Sequence, residues 1–188
     1  MGMKLQRVNF KQLKGSWEKL YSANHRLSPY SSYEYNAIFL KNYHYGWSRI
    51  FLWTKLYRLV NSSGNTIMVI PLYGFRKKYY ILGDLASTGY LDFIYDETLN
   101  PKCFEEAFCL LEKKLHGSKL FLNRINEKSM LNDYLSSQYS CQRREVCVNI
   151  AFGSGYDAYM ATLSKKMRHN IQTIKHRLMK DDVTFHVE

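Results

Sequence analysis

Apolar positions along the chain change their period several times, and each change marks an element. Near the N-terminus Trp17, Leu20 and Tyr21 recur at helical spacing after Ser16, so the opening reads as an amphipathic helix. Leu27-Ser28-Pro29-Tyr30 breaks it, and Ser31 or Ser32 stands where a second helix would be capped. That helix carries the stripe Tyr35, Ile38, Phe39, Asn42 and Tyr43 and ends at Gly46. From Ile50 to Val60 aromatic and branched residues crowd together as in a strand, and Asn61 to Asn65 is turn chemistry. Thr66 to Phe75 resumes with Ile67, Val69, Ile70 and Leu72, which predicts a hairpin.

Tyr79 to Leu82 predicts a short third strand, Gly83 to Gly89 a loop, and Tyr90 to Tyr95 another extended stretch. Pro101 opens a helix to Leu115 with Phe104, Phe108, Leu111 and Leu115 on one face. Lys119 to Asn123 then reads as a strand, Glu127 to Ser137 as a helix and Arg144 to Phe152 as a strand. After the Gly153-Ser154-Gly155 break, one long helix is predicted from Tyr156 to about Lys180, and Val183 to Val187 begins a further strand. Helices, an antiparallel meander and then alternating helix and strand together predict a mixed α/β fold. A chain that stops inside a strand also reads as a cut, with the natural frame continuing.

Composition narrows the class. With 46% hydrophobic and 23% charged residues the chain is globular rather than disordered. The 16 Tyr and 10 Phe suit half-buried strands and cleft walls, and codon bias accounts for part of that number. Cys103, Cys109, Cys141 and Cys147 match neither a zinc knuckle nor a CxxC pair, so free and mostly buried thiols are expected, and no metal site. The N-terminal fifteen residues contain no apolar signal-peptide core, and no apolar run is long enough to cross a bilayer. A cytoplasmic location is the resulting expectation.

Charge changes the picture most. The net +11 comes from 27 Lys and Arg against 16 Asp and Glu, which favours anionic partners of some kind. Between Ser164 and Lys180 stand Lys165, Lys166, Arg168, Lys175, Arg177 and Lys180, with His169 and His176 and no acid. The apolar stripe of this stretch is Tyr159, Leu163, Met167, Ile171, Ile174 and Leu178, so one face should pack and the others are basic. Solvated surface charge would explain the basic faces. Like charges at helical spacing repel, however, and an external anion would relieve them.

Four stretches together resemble a known group. Tyr159 to Ile171, with Leu163, Ser164, Lys165, Lys166, Arg168 and Asn170, and the strand that follows it resemble the basic helix of the CelD-like acetyltransferases. These belong to the GNAT superfamily and are related to the FemAB-like aminoacyl transferases. Pro29 to Tyr35 resembles their "PFxSxEW" segment, with Tyr35 where Trp is usual. Val69 to Tyr73 resembles the "xxPLY" strand, and Asp84 to Tyr95 with Asp92 the "DYLDF" strand. The stretches fall in the family's order from about residue 16 onward.

The resemblance implies a GNAT-like lobe over 1–155, and over 156–188 a linking basic helix with the first strand of a second, truncated lobe. It implies an acetyl-CoA or other acyl-CoA donor and a small-molecule or glycan-precursor acceptor bound between the lobes. Asp92, Lys166, Arg168 and Asn170 match positions of the family's strand acid and basic helix and are the candidate acceptor contacts. The family's Gly-rich pyrophosphate loop has no counterpart; Gly153 and Gly155 before a helix are the only candidates. The wider readings are an acyl-CoA-dependent N- or O-acyltransferase for a cell-envelope or polysaccharide precursor, a tRNA-binding lobe of FemAB type, or a non-catalytic interaction lobe. Asp92 could orient an acceptor or serve as a base, although an Asp after a Gly-Tyr turn more often binds backbone. His169 and His176 read as surface residues. Ser87 and Thr88 could meet a sugar hydroxyl or simply build the loop.

Overall fold

The computed structural model describes residues 2–43, 53–84, 88–140 and 155–180. Two compact units are present, Met1–Cys141 and Gln142–Glu188. The first holds a mixed α/β arrangement, as the alternating pattern predicts: β1 Lys4–Val8, α1 Phe10–Ser22, a 3-10 turn Pro29–Ser31, α2 Tyr33–Tyr43, β2 Trp53–Val60, β3 Thr66–Phe75, β4 Lys78–Ile81, β5 Ile94–Tyr95, α3 Lys102–Lys114, β6 Lys119–Phe121 and α4 Met130–Gln138. The second contains α5 Tyr156–Thr162 and α6 Lys165–Lys180. Gly46, Ser87, Cys141, Cys147, Gly153, Ser154 and the strands expected at 144–152 and 183–187 lie outside the described residues.

The strands run in the order β1-β2-β3-β4-β6, and β5 pairs with β3 beyond the end of β4. Among the named strands all pairings are antiparallel except β4 with β6, and an isolated parallel bridge joins Leu91 to Ile125. Strand β3 is the centre, and alternation along it fills two cores. Met68, Ile70 and Leu72 face one side, where Phe104, Phe108 and Leu111 of α3 and Leu131 of α4 cover them. Val69 and Tyr73 face the other, under Leu13, Trp17 and Leu20 of α1 and Phe39 of α2. The stripe expected for α3 is the buried one.

Pro71 sits inside this central strand, where a missing N–H would ordinarily cost a ladder bond. A residue's N–H and C=O point to the same side of a strand, and the Pro71 carbonyl accepts from Leu82 N at 2.8 Å. The proline nitrogen therefore faces the gap between β4 and β5, where no partner strand is asking for a donor.

The hairpin from β2 to β3 forms as expected, with Asn61 Oδ1 accepting from the amides of Ser63 and Asn65, each at 3.0 Å, and Gly64 at φ +82°. The turn from β3 to β4 is a different matter. Phe75 pairs with Lys78, and both residues between them, Arg76 and Lys77, have positive φ of 45° and 66°. Such a two-residue turn wants Asn-Gly, and a bulky L-residue in the left-handed region costs about 1–2 kcal/mol. Replacing the pair by R76N and K77G is expected to raise unfolding free energy by about 1–2 kcal/mol in urea titrations. That gain allows for the lost stacking of Arg76 over the Phe75 ring at 5.0 Å. An unchanged or lower midpoint would contradict this account of the turn.

Three expectations need correction. The opening is not helical throughout: β1 precedes α1, and it is held by its register against Leu56 to Val60, a pairing across about fifty residues that local pattern does not reveal. Asn9 then starts α1 with a reciprocal capping box to Gln12. In α2 the inward face is Asn36 and Phe39, while Ile38 is 59% exposed and Asn42 is exposed; the stripe is rotated by about one position from the sequence reading. Ser32 does cap this helix, accepting from Tyr35 N at 3.2 Å.

The long C-terminal helix is two helices. Leu163 is extended at ψ 151°, and Ser164 Oγ accepts from Met167 N at 3.3 Å, which restarts the helix as an N-cap. Its apolar stripe packs only in part: Ile171 and Leu178 are half-buried, Met167 and Ile174 are exposed, and no residue of α6 is fully buried.

Candidate functional site

Strands β4 and β6 run parallel, so their carboxyl ends open on the same edge of the sheet, the edge where α/β proteins commonly gather functional loops. Two loops leave there. Asp84, in the first, pairs Oδ1 with Arg124 Nε at 3.5 Å and accepts from Asn123 Nδ2 at 3.0 Å through Oδ2. Arg124 Nη1 in turn donates to the Thr88 carbonyl at 2.5 Å, and its own carbonyl accepts from Leu91 N at 3.0 Å. Tyr73 of β3 donates its hydroxyl to the Asp84 carbonyl at 2.8 Å. Arg124 adopts φ +60° to hold this position.

Two glycines seat the aromatic residues of the Pro29 to Tyr35 stretch against the first loop. A Cβ on Gly89 would lie 2.9 Å from the Tyr30 ring, and one on Gly83, already at φ +87°, would lie 3.0 Å from the Tyr35 ring. Tyr30 and Tyr35 meet edge to face at 5.1 Å. Ser28 Oγ donates to the Tyr90 carbonyl. Asn36 donates to the carbonyls of Tyr30 at 3.1 Å and Ser32 at 2.8 Å, while its Oδ1 is buried with no hydrogen-bond partner.

Asp92 lies just beyond, 7% exposed. Its Oδ1 accepts from Phe93 N at 2.7 Å and its Oδ2 from the Tyr95 hydroxyl at 3.1 Å; Ser129 also donates to the carboxylate. Ser129 is at the same time the N-cap of α4, taking the amides of Leu131 at 3.0 Å and Asn132 at 3.3 Å. Burial pushes the Asp92 carboxyl up to about 7, and the three donors oppose that shift without cancelling it. Burial and the neighbouring Asp92 likewise push the Tyr95 phenol up. A carboxyl titrating near neutrality can exchange a proton, but its oxygens are engaged by internal donors, and their immediate work is to tie β5 to the start of α4.

In the second unit Lys166, Arg168 and Asn170 are exposed on α6. Arg168 Nη1 donates to the carbonyls of Leu163 at 2.6 Å and Ala161 at 3.4 Å, satisfying the end of α5. His169 and His176 are exposed as expected, His176 Nδ1 donating to the Gln172 carbonyl at 2.8 Å. Gly155 has φ +91° and open space around its Cα, yet it begins a helix of 7 residues whose first turn already carries Asp157. An acid there competes for the positive end of the dipole, so Gly155 does not fit a pyrophosphate. Gly153 lies outside the described residues. Cys103 and Cys109 are both free, as expected, Cys103 buried and Cys109 exposed. Among the described residues no group of three His, Cys, Asp or Glu is placed to hold a metal, and no helix is long and apolar enough to cross a membrane.

Sequence reading singled out Asp92, but passed over Asn36, Asn123 and Arg124. Asn36 had a readable signal, lying three residues from both Tyr33 and Phe39 on one helix face. Asn123 and Arg124 had none, since their role depends on the parallel pairing of β6 with β4.

The sequence matches no protein-family model and no curated protein. The fold is similar to the crystal structure of a Trypanosoma brucei acetyltransferase, with a TM-score of 0.41 and 12% sequence identity, over 78% of this chain and 99% of that one.

Proposed function

We propose that this chain is the acceptor-side lobe of a GNAT-type N- or O-acyltransferase acting on a cell-envelope or polysaccharide precursor. The observation that carries the reading is the meeting of three stretches that resemble the CelD-like group. Pro29 to Tyr35, Val69 to Tyr73 and Asp84 to Tyr95 are far apart in sequence. Here Tyr30 and Tyr35 seat on Gly89 and Gly83, and Tyr73 holds the Asp84 carbonyl.

In this reading Lys166, Arg168 and Asn170 contact the acceptor, and Asp92 is a positioning residue that holds the Tyr90 to Tyr95 stretch in place. The donor implied is acetyl-CoA or another acyl-CoA. Because Gly155 does not fit its pyrophosphate, no donor contact is assigned to the described residues.

Titration calorimetry of the chain with a panel of amino sugars and nucleotide-linked sugars tests the proposal. Saturable binding of at least one is expected, weakened about tenfold by K166A as a charge-assisted contact is lost. No binding across the panel, together with no acyl transfer from acetyl-CoA to any member, would overturn it.

A further inference from the structure

We infer that α6 docks on an anionic membrane surface, lying flat with its apolar stripe toward the acyl chains. The inference rests on this helix alone and not on the acyltransferase reading. At 3.6 residues per turn, Met167, Ile171, Ile174 and Leu178 fall within an arc of about 60°. Lys166 and Arg177 lie about 80–100° to one side of that stripe, and Arg168 and Lys175 a similar angle to the other. His169 and His176 occupy the far face. Half of the stripe is open to water: Met167 is 53% and Ile174 56% exposed, Ile171 and Leu178 are half-buried, and none of the 16 residues is fully buried. Met179, 65% exposed, lies off the stripe.

This arrangement selects one kind of partner. Cations on both flanks of an apolar strip suit a headgroup layer, where long basic side chains reach the phosphates while the strip enters the boundary beneath. A nucleic-acid backbone would use the cations and leave the strip in water. The absence of any acid in α6 strengthens the match to an anionic surface. Binding would also steady the helix, since a short helix with unopposed like charges is marginal on its own in water. Arg168, committed in part to the carbonyls that end α5, contributes least of the four flanking cations.

Vesicle co-sedimentation with the whole chain tests this. Strong binding is expected to phosphatidylcholine vesicles containing about 30% phosphatidylglycerol, little to phosphatidylcholine alone, and a fall with added salt. K175Q and R177Q should each weaken partition about fivefold. I171Q with I174Q, which leaves charge and helix propensity in place, should weaken it tenfold or more. Equal binding to neutral vesicles, or no loss with the glutamine pair, would overturn the inference. So would displacement by inorganic phosphate at constant ionic strength, which marks a site for free anion. Tight, salt-dependent binding to tRNA that survives I171Q with I174Q, with no vesicle binding, would overturn it in favour of nucleic acid.

Discussion

The stability difference between D92N and the parent protein is expected to grow from nearly nothing in acid to a clear advantage for the variant as the solution becomes alkaline. Asp92 titrates at about 7 in the folded chain, well above the usual carboxylate value, because burial penalises its charge. Between pH of about 4 and about 7 the folded state therefore holds a proton that the unfolded chain has released. Stability from this group is complete below the unfolded value and is lost as pH rises through the folded one. Asparagine mimics the protonated acid at every pH: its oxygen can still accept from Phe93 N, and its amide can donate to the hydroxyls of Tyr95 and Ser129. Near pH 4 the two proteins should unfold at similar urea concentrations. Near pH 8 the variant should be the more stable by an amount on the order of a few kcal/mol. Taking the difference between the two proteins removes the self-repulsion that a net +11 chain suffers in acid. Parallel pH profiles would show that the three donors, and not burial, set the protonation state of Asp92.

W17A is expected to be the most damaging single replacement among the core residues named above. Trp17 has no exposed surface, meets Phe10 at 5.6 Å and Tyr33 at 5.9 Å, and donates its indole N–H to the Ser31 carbonyl at 2.9 Å. Truncation leaves a large cavity between α1 and α2 and costs about 3–5 kcal/mol. The paired variant W17F separates packing from hydrogen bonding. It restores most of the volume and strands the Ser31 carbonyl, at a cost of about 1–3 kcal/mol. Ser31 lies in the stretch that carries Tyr30 to Gly89, so W17A should also loosen the loop edge where β4 and β6 end. Amide exchange at Tyr30 to Tyr35 would report that directly. Protection unchanged there, despite a lower midpoint, would mean that Trp17 supports only the α1 face of the core.

Much of the first unit was legible because its elements are decided locally. The β2 to β3 hairpin was marked by branched residues on both sides of an Asn-Ser-Ser-Gly-Asn turn, and the α3 face by Phe104, Phe108, Leu111 and Leu115 at helical steps. The break at Leu163 was missed because the apolar stripe runs across it in phase; only the extended ψ of Leu163 and the cap from Ser164 reveal it. Ile38 misled for a related reason. An apolar residue beside Phe39 looks like core, yet the sheet beneath α2 admits Asn36 instead, paired to the turn before the helix.

By itself the sequence determined which segments are strands and helices over most of the first unit, that β2, β3 and β4 form a meander, and that the last helix is basic and free of acids. These follow from periods of two and about four residues and from turn chemistry, which act between near neighbours. Tertiary structure alone decided that β1 joins the sheet edge, that β6 lies parallel to β4, and that Asp84 meets Arg124 while Asp92 meets Tyr95 and Ser129. Each of these depends on a contact between residues distant along the chain, and no local period records it. The basic helix shows the division within a single element. Its charge and stripe were readable residue by residue, whereas its start at Lys165, after the extended Leu163 and the Ser164 cap, was not.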